Sequence, residues 1–202
     1  NDQSLSLRPE ATAGIIRSGI DQGFFYNQTQ KLWSIGPMYR YERPQKGRYR
    51  QFHQINMEAF GFQGPDIDLE MILLTRRIWK VLNLSSLKLE LNSLGGSESR
   101  KEYKRQLQDY FNDHKKELDE DSLRRLDRNP LRILDSKNPD LQTLIALAPK
   151  MIDFLDQESS EHFEGLLRML QDHAIEYKLN KRLVRGLDYY TRTVFEWTTD
   201  QL

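Results

Sequence analysis

Residues 36–54, GPMYRYERPQKGRYRQFHQ, join two segments rich in aromatic residues through a short stretch that contains a proline and a glycine. The flanking residues 31–42 and 49–60 hold the aromatic and β-branched side chains that are typical of strands. Because Pro and Gly between two such segments favour a loop, the pattern predicts an antiparallel hairpin over residues 31–61. Its connection is expected to be longer than the two-residue turns that are commonest in hairpins.

Strand-like and helical patterns follow one another on both sides of this hairpin. A short strand over residues 5–8 and a helix from Pro9 to about Gln22 are predicted before it. A helix over residues 66–82 and a strand over residues 87–91 are predicted after it. The predicted apolar stripe of that helix consists of Ile67, Met71, Leu74, Ile78 and Leu82. Strand, helix, hairpin, helix and strand in this order indicate an α+β fold.

The sequence becomes strongly charged after Gly95 and Gly96. Between residues 101 and 128, 16 of 28 residues are charged, eight of each sign, and such mixed charge favours solvent-exposed helices. Their apolar face is predicted at Tyr103, Leu107, Tyr110, Phe111 and Leu118. The second half of the chain therefore begins with helices rather than with more sheet.

Two more helices are predicted over residues 140–155 and 158–174, the second with Phe163, Leu166, Leu167 and Leu170 inward. Strand-like sequence returns over residues 176–179 and 188–199. We therefore predict a sheet-based domain that is interrupted by helices. Its predicted parts are residues 1–96 (sheet-based domain, first part), 97–177 (helical insertion) and 178–202 (sheet-based domain, second part).

Composition excludes several classes of protein. The 202 residues hold 30 Lys and Arg against 30 Asp and Glu, so the net charge is zero and a general nucleic-acid binder is disfavoured. No apolar run approaches the ~18 residues that a membrane helix needs. The absence of cysteine excludes disulfides and thiolate metal sites and is compatible with a cytoplasmic location, which we expect. The four histidines show no metal-binding spacing.

One polar face of the hairpin is a candidate site. Along the second strand, Phe52, Gln54, Asn56 and Glu58 share a face because side chains alternate, and Arg40 and Glu42 share one on the first strand. If the register brings these faces together, an aromatic ring lies among charged groups, which suits a nucleotide with its base on the ring and its phosphates on arginines. An ordinary half-buried hairpin with a solvated basic tip is the alternative.

Three stretches resemble histidyl-tRNA synthetases, which are class II aminoacyl-tRNA synthetases. Residues 36–44 followed by 48–54 resemble motif 2 of that class. Leu7-Arg8-Pro9-Glu10-Ala11-Thr12 resembles the segment that precedes motif 2 in histidyl-tRNA synthetases, although many members have Gly where this chain has Ala11. Residues 185–191, RGLDYYT, resemble the histidine-specific motif. The resemblance implies a mostly antiparallel sheet flanked by helices, with a helical insertion. It also implies that residues 1–96 and 178–202 are the two parts of the class II catalytic core.

The resemblance also implies the reaction, in which ATP activates L-histidine to histidyl-adenylate and histidine is then transferred to tRNA(His). By this resemblance Arg40 and Arg185 hold the α-phosphate and the reacting carboxylate, and both are the expected catalytic residues. Glu42 would accept from the adenine amino group, Phe52 would stack on the base, and Arg48 would reach the outer phosphates. Mg²⁺ is expected with ATP, held mostly by the phosphates, and no protein ligand is assigned to it.

The histidine site is implied in the same way. The amino group of histidine would meet Glu10, Thr12 and Gln54, while the imidazole would bond to Glu58 and Tyr190. Tyr189 would shape the pocket wall, and Arg185 would contact the substrate as well. An imidazole has two nitrogens, so a carboxylate and a phenol can bond both and reject side chains that lack them.

The resemblance implies partners and missing parts. Histidyl-tRNA synthetases are homodimers in their full-length form, and their helical insertion contacts the acceptor end of tRNA. Motif 1 is expected before Asn1, and motif 3 and the anticodon-binding domain are expected after Leu202. We therefore expect this chain by itself to activate histidine poorly or not at all.

Two other functions are compatible with the same sequence motifs. One is a non-catalytic synthetase-like regulatory subunit of ATP phosphoribosyltransferase, which would share the fold without the full reaction set. The other is a synthetase-like domain that only binds tRNA or a partner. Histidine binding that weakens on Glu58→Ala or Tyr190→Phe favours the synthetase, whereas indifference to histidine favours the last alternative.

Overall fold

The computed structural model describes residues 4–184 and 190–200. The chain divides into two compact units, Asn1–Ile67 and Asp68–Leu202. The elements of the first unit are helix α1 (Thr12–Asp21) and strands β1 (Gln30–Tyr39) and β2 (Gln51–Phe60). Helix α2 (Pro65–Val81) begins in the last residues of the first unit and continues into the second unit.

The predicted hairpin is confirmed, and its connection, residues 40–50, is longer than a two-residue turn, as predicted. β1 pairs antiparallel with β2 from Gln30 opposite Phe60 to Tyr39 opposite Gln51, and the Arg40 amide donates to the Arg50 carbonyl at 2.9 Å. At the tip, the backbones of Gln45 and Arg48 exchange two hydrogen bonds of 3.2 and 2.9 Å. Gly47 supplies the left-handed φ of +74° that this two-residue turn requires. The long connection thus closes at its tip in a two-residue turn, and β1 ends before Arg40 rather than at Glu42.

The N-terminal segment differs from the prediction. Residues 5–8 form no strand, although the Arg8 carbonyl accepts from the Tyr39 amide at 2.9 Å. Helix α1 begins at Thr12 rather than at Pro9, because the Glu10 carboxylate accepts from the amides of Thr12 and Ala13 and ends the extended segment there.

The second unit contains a three-stranded sheet in the order β4-β3-β5. The central strand β3 (Lys88–Ser93) pairs parallel with β4 (Lys178–Leu179) and antiparallel with β5 (Thr193–Thr198). The last predicted strand is thus shorter than expected, since residues 190–192 form no strand and 188–189 lie outside the described residues. Antiparallel pairing and flanking helices confirm the predicted α+β fold class.

Four helices lie between β3 and β4, where the helical insertion was predicted. They are α3 (Ser97–Asp113), α4 (Glu120–Arg128), α5 (Gln142–Leu147) and α6 (Gln157–Asp172), with short 3-10 turns at Lys115–Glu117, Pro130–Ile133, Pro139–Leu141 and Met151–Phe154. The single helix predicted over residues 140–155 is wrong. Pro149 ends α5, because it holds Ala148 in an extended conformation with ψ 151° and cannot donate to a helical carbonyl.

Two apolar cores stabilise the second unit. One is built on Tyr103, Leu107 and Phe111 of α3, which confirms the predicted face of that helix. The other joins α2, β3, β5 and α6, and its α2 members are Leu69 and Ile72. The predicted α2 stripe is therefore wrong in part: its members Leu74, Leu82, Ile67, Met71 and Ile78 are exposed or only half-buried. Helix α2 has apolar residues on more than one side, so spacing alone does not tell which side meets the sheet.

Candidate functional site

The even-numbered residues of both hairpin strands share one face. The register places Leu32 opposite Glu58, and two further pairs, Gly36 with Gln54 and Met38 with Phe52, follow along the ladder. The Arg40–Arg50 hydrogen bond continues this register by one step, so Arg40 follows Met38 on the same face. Its guanidinium carbon lies 4.8 Å from the centroid of the Phe52 ring. Arg40, Phe52, Gln54 and Glu58 thus lie on a common surface, which we call the even face.

Three buried polar atoms of the even face lack a hydrogen-bond partner among the described residues. They are Ser34 Oγ, Gln54 Oε1 and Asn56 Oδ1. Ser34 and Asn56 lie directly opposite each other, and Gln54 is two residues along β2. Since most buried polar groups in folded proteins are hydrogen-bonded, three unpaired acceptors on one face indicate a surface that is completed by water or a ligand.

One end of the even face carries carboxylates. The Thr12 hydroxyl donates to Glu58 Oε1 at 2.7 Å, which joins the start of α1 to β2. Glu10 accepts from the Thr12 amide at 2.5 Å and from the Ala13 amide at 3.0 Å, so its negative charge lies at the positive end of α1. The structure therefore brings Glu10, Thr12 and Glu58 together, and it gives Glu10 a structural role at the helix N-terminus.

The other end of the even face carries Arg40. Its Nε donates to the Pro9 carbonyl at 2.9 Å, which leaves the two terminal nitrogens without a hydrogen-bond partner among the described residues. The guanidinium also covers one side of the Phe52 ring. Such a cation–π contact at a partly exposed site contributes about 0.5–1 kcal/mol, so an anion can draw Arg40 away from the ring at small cost.

Glu42 and Arg48 meet each other in the connection between the strands. Arg48 Nε lies 3.1 Å from Glu42 Oε2, and Arg50 Nε donates to the Glu42 carbonyl at 3.1 Å. Because both side chains of the ion pair are partly exposed, we expect it to contribute about 0–1 kcal/mol. The pair therefore holds the connection only weakly and can open for a ligand.

Arg8 is a residue of this face that the sequence analysis did not assign to the site. Its Nε donates to the Pro37 carbonyl at 2.9 Å, and a Cβ on Gly36 would lie 2.5 Å from its Nη2. The guanidinium therefore lies against Gly36, which is opposite Gln54. A glycine inside a strand can signal such a close approach, and Gly36 was the available clue.

Three predicted site residues do not belong to the described first unit. Arg185 and Tyr189 lie outside the described residues. Tyr190 belongs to the second unit, where its carbonyl accepts from Arg100 Nη1 at 2.5 Å. The predicted contact between Tyr190 and the imidazole thus stays a prediction.

Cavity size by itself does not locate this chemistry. A cleft of about 710 Å³ in the second unit is lined by Arg76, Trp79 and Trp197 among others, and by none of the predicted residues. A cleft of about 600 Å³ lies beside Arg40 and Arg50 in the first unit. Within residues 4–184 and 190–200, no three His, Asp or Glu side chains converge as metal ligands, and no helix is long and apolar enough to cross a membrane.

The family of the chain follows from comparison with known proteins. The model of the family described as tRNA synthetase class II core domain (G, H, P, S and T) matches residues 1–202. The chain belongs to this family.

Within that family, the chain resembles one particular synthetase. The apo histidyl-tRNA synthetase of S. aureus is 39% identical to it with a TM-score of 0.75, and the match covers 98% of this chain and 46% of that one. This chain therefore spans about half the length of that synthetase.

Two more distant structures share the fold alone. An ATP phosphoribosyltransferase regulatory subunit/histidyl-tRNA synthetase from Bacillus halodurans has a TM-score of 0.56 at 21% identity, covering 96% of this chain and 54% of that one. A histidine–tRNA ligase subunit from Alicyclobacillus acidocaldarius has a TM-score of 0.55 at 17% identity, covering 96% and 65%.

Proposed function

We propose that this chain carries the histidine-activating site of a histidyl-tRNA synthetase, where ATP and L-histidine form histidyl-adenylate before transfer to tRNA(His). The observation that supports this best is the even face. The terminal guanidinium nitrogens of Arg40, which have no hydrogen-bond partner among the described residues, lie at one end and the carboxylate of Glu58 at the other. Between them lie polar atoms of Ser34, Gln54 and Asn56 that have no partner in the described part of the chain.

The reaction needs placement and charge rather than covalent help from the protein. The histidine carboxylate attacks the α-phosphorus of ATP, the bond to the bridging oxygen breaks, and pyrophosphate leaves. Negative charge grows on the non-bridging oxygens, where a fixed cation stabilises the transition state. Arg40 is our candidate for that cation, because its terminal nitrogens have no other described hydrogen-bond partner. Arg185 is proposed as a second cation on the same phosphate.

ATP would enter at the Arg40 end. The α-phosphate draws the guanidinium from Phe52, since a charge-assisted bidentate hydrogen bond is stronger than an exposed cation–π contact. The exposed ring then stacks on adenine, and Glu42 accepts from the adenine amino group. Opening the Glu42–Arg48 ion pair frees Arg48 for the outer phosphates, at the low cost expected of a partly exposed pair.

Histidine would bind at the Glu58 end. The positive amino group meets Glu10, Thr12 and Gln54, whose Oε1 has no partner among the described residues. Glu58 accepts from an imidazole N–H, and Tyr190 bonds to the other nitrogen beside Tyr189. Phe52 and Glu58 are six residues apart on one strand, roughly 20 Å at 3.3 Å per residue, which is the scale of an amino acid joined to a nucleotide.

The remaining parts of the proposal concern partners. Mg²⁺ enters as part of the ATP substrate, held by the phosphates. Residues 97–177 serve as the helical insertion that meets tRNA, the longer protein is a homodimer, and its location is cytoplasmic. The 39% identity to a histidyl-tRNA synthetase over 98% of this chain supports the assignment of tRNA as a partner, and the other assignments follow from the resemblance alone.

Calorimetric titration with L-histidine tests the site directly. Glu58→Gln removes the negative charge and keeps the shape, so we expect the histidine Kd to rise about ten- to a hundredfold, the range for a lost hydrogen bond to a charged group. Glu176→Gln, at an exposed position of the second unit, is the matched control and should leave the Kd unchanged. Absence of any histidine binding to the unmodified chain would sink the proposal.

Pyrophosphate exchange separates the synthetase from a regulatory relative. A chain that binds histidine and ATP and exchanges labelled pyrophosphate into ATP only when histidine is present is a synthetase. Histidine binding without such exchange, in a chain joined to the remaining synthetase segments, favours the regulatory function.

A further inference from the structure

Arg192 has a backbone conformation that its residue type disfavours. Its φ is +56°, in the left-handed region where a Cβ crowds the backbone. Two hydrogen bonds hold it there: the Arg192 amide donates to the Gly95 carbonyl at 2.9 Å, and the Leu94 amide donates to the Arg192 carbonyl at 2.7 Å. Gly95 is left-handed too, and a Cβ there would lie 2.8 Å from Met151 Cε. A non-glycine residue in this conformation must be held by its surroundings.

The side chain of Arg192 provides further contacts that hold it. Its Nη2 forms an ion pair with Glu158 at the start of α6, and its Nη1 lies 3.5 Å from His162 Nδ1 one turn later. His162 Nε2 lies 2.8 Å from Asp68 Oδ2 on α2, and the imidazole is 9% exposed. We call Asp68, Glu158, His162 and Arg192 the Arg192 cluster.

The protonation pattern of this cluster follows from its donors. An arginine can only donate, so His162 Nδ1 accepts and Nε2 carries the hydrogen that is donated to Asp68. The imidazole thus joins the Arg192 guanidinium to α2 through one tautomer. His162 therefore links Asp68 of α2 to Arg192, the residue that precedes β5.

A hydrogen bond from helix α3 holds the backbone two residues before Arg192. The Tyr190 carbonyl accepts from Arg100 Nη1 of α3 at 2.5 Å. Residues 190–192 are therefore held at both ends by arginine contacts, from α3 at Tyr190 and from α6 at Arg192. The strained residue and the proposed imidazole-binding residue are two positions apart.

We propose that Arg192 is a positioning residue for histidine binding: with the Arg192 cluster it holds residues 190–192 in the conformation that presents Tyr190. This inference rests on the proposed role of Tyr190. Arg192 itself touches no substrate. Without its side-chain contacts, a residue at position 192 relaxes from the left-handed conformation, the two hydrogen bonds to residues 94 and 95 weaken, and Tyr190 loses its placement.

Hydrogen exchange and histidine binding test the inference together. In Arg192→Ala, the Leu94 and Arg192 amides should exchange at least tenfold faster relative to amides in the middle of α6. The histidine Kd should rise about tenfold while the ATP Kd stays within twofold. His162→Phe keeps a ring and removes both nitrogens, so Arg192 loses its link to Asp68 and both readouts should shift in the same direction. Arg168→Ala, which removes an exposed arginine paired with Glu164 on α6, is the control.

Each other outcome has a definite meaning. Unchanged exchange at the two amides, a uniform rise across the second unit, or selective exchange with an unchanged histidine Kd would each overturn the positioning role. If the unmodified chain does not bind histidine, the proposed function fails. The exchange measurement on the apo chain then still decides whether the cluster holds residues 190–192.

Discussion

The two units of the chain differ in how they bury their side chains. Among the described residues of the first unit, only Ala11 and Met38 are buried apolar residues, and the odd hairpin face leaves Trp33 and Ile35 mostly exposed. The second unit buries two large apolar clusters. Three buried polar atoms lack a hydrogen-bond partner among the described residues of each unit, but those of the second unit, on Trp79, Asn129 and Thr193, lie on separate elements.

The difference implies that folding stability depends mainly on one unit and the even face of the candidate site on the other. Apolar burial is the main source of folding free energy, so most of it is expected to come from the second unit. In the first unit, the three buried polar atoms that lack a partner among the described residues all lie on the even face. Substitutions in the two units should therefore affect different measurements, the free energy of unfolding in one and ligand binding in the other.

The largest effect is expected from Phe111→Ala in the α3 core. Phe111 is fully buried, and its truncation leaves a cavity that should lower the free energy of unfolding by about 3–5 kcal/mol. Urea denaturation measures this loss. Leu147→Ala, at an exposed position of α5, should change it by less than about 0.5 kcal/mol. Equal losses for the two variants would contradict the assignment of the core.

Arg40→Ala should have the next largest effect, on activity rather than stability. Losing one cation on the reacting phosphate typically lowers the rate about 10²–10³-fold. Histidine-dependent pyrophosphate exchange, in a chain joined to the remaining synthetase segments, measures it, with the free energy of unfolding nearly unchanged because Arg40 is exposed. Arg43→Ala, at the exposed hairpin connection, is the control. A rate within twofold of the unmodified chain would remove Arg40 from the site.

Gly36→Ala should have a smaller effect that tests Arg8. The new methyl group would meet Arg8 Nη2 at 2.5 Å, and the flexible guanidinium must move off the even face. We expect histidine or ATP to bind about tenfold more weakly, or about 1.4 kcal/mol. Gly14→Ala, where nothing lies within 4 Å, should leave binding unchanged and slightly stabilise α1. Unchanged binding in Gly36→Ala would mean that the position of Arg8 has no influence on the site.

Asp156→Ala should give the smallest effect, in the second unit. Asp156 caps α6 by accepting from the Ser159 amide at 2.8 Å, and an N-cap is worth about 1 kcal/mol. The Ser99 hydroxyl and the Ser159 amide hold the pKa of Asp156 well below its usual range. The charged form therefore contributes stability above the unfolded pKa of about 3.9, and this contribution is lost as the pH falls through the folded pKa.

Urea denaturation as a function of pH checks that sign. The stability difference between the unmodified chain and Asp156→Ala should be constant near neutral pH and should shrink below about pH 4. Asp153→Ala, which removes an exposed carboxylate before α6, is the control. A difference that grows on acidification would contradict the capping role.

Much of the fold could be predicted, since local patterns and packing agree there. The hairpin alternation predicted the two faces, and the observed register, in which even positions oppose even positions, brings Arg40 and Phe52 together. The apolar face of α3 was likewise predicted, because charged residues mark its other side. The α2 stripe was wrong in part because that helix has apolar residues on several sides, and only the sheet beside it selects Leu69 and Ile72.

The sequence by itself determined the alternation of polar and apolar side chains, and with it the hairpin, the helical second half and the resemblance to class II synthetases. Only the tertiary structure decided that Arg8 lies against Gly36, that Thr12 bonds to Glu58, and that Arg192 reaches His162. The physical reason is sequence separation. Local patterns report neighbours within a strand or a helical turn, whereas these contacts join segments that come together only when the chain packs.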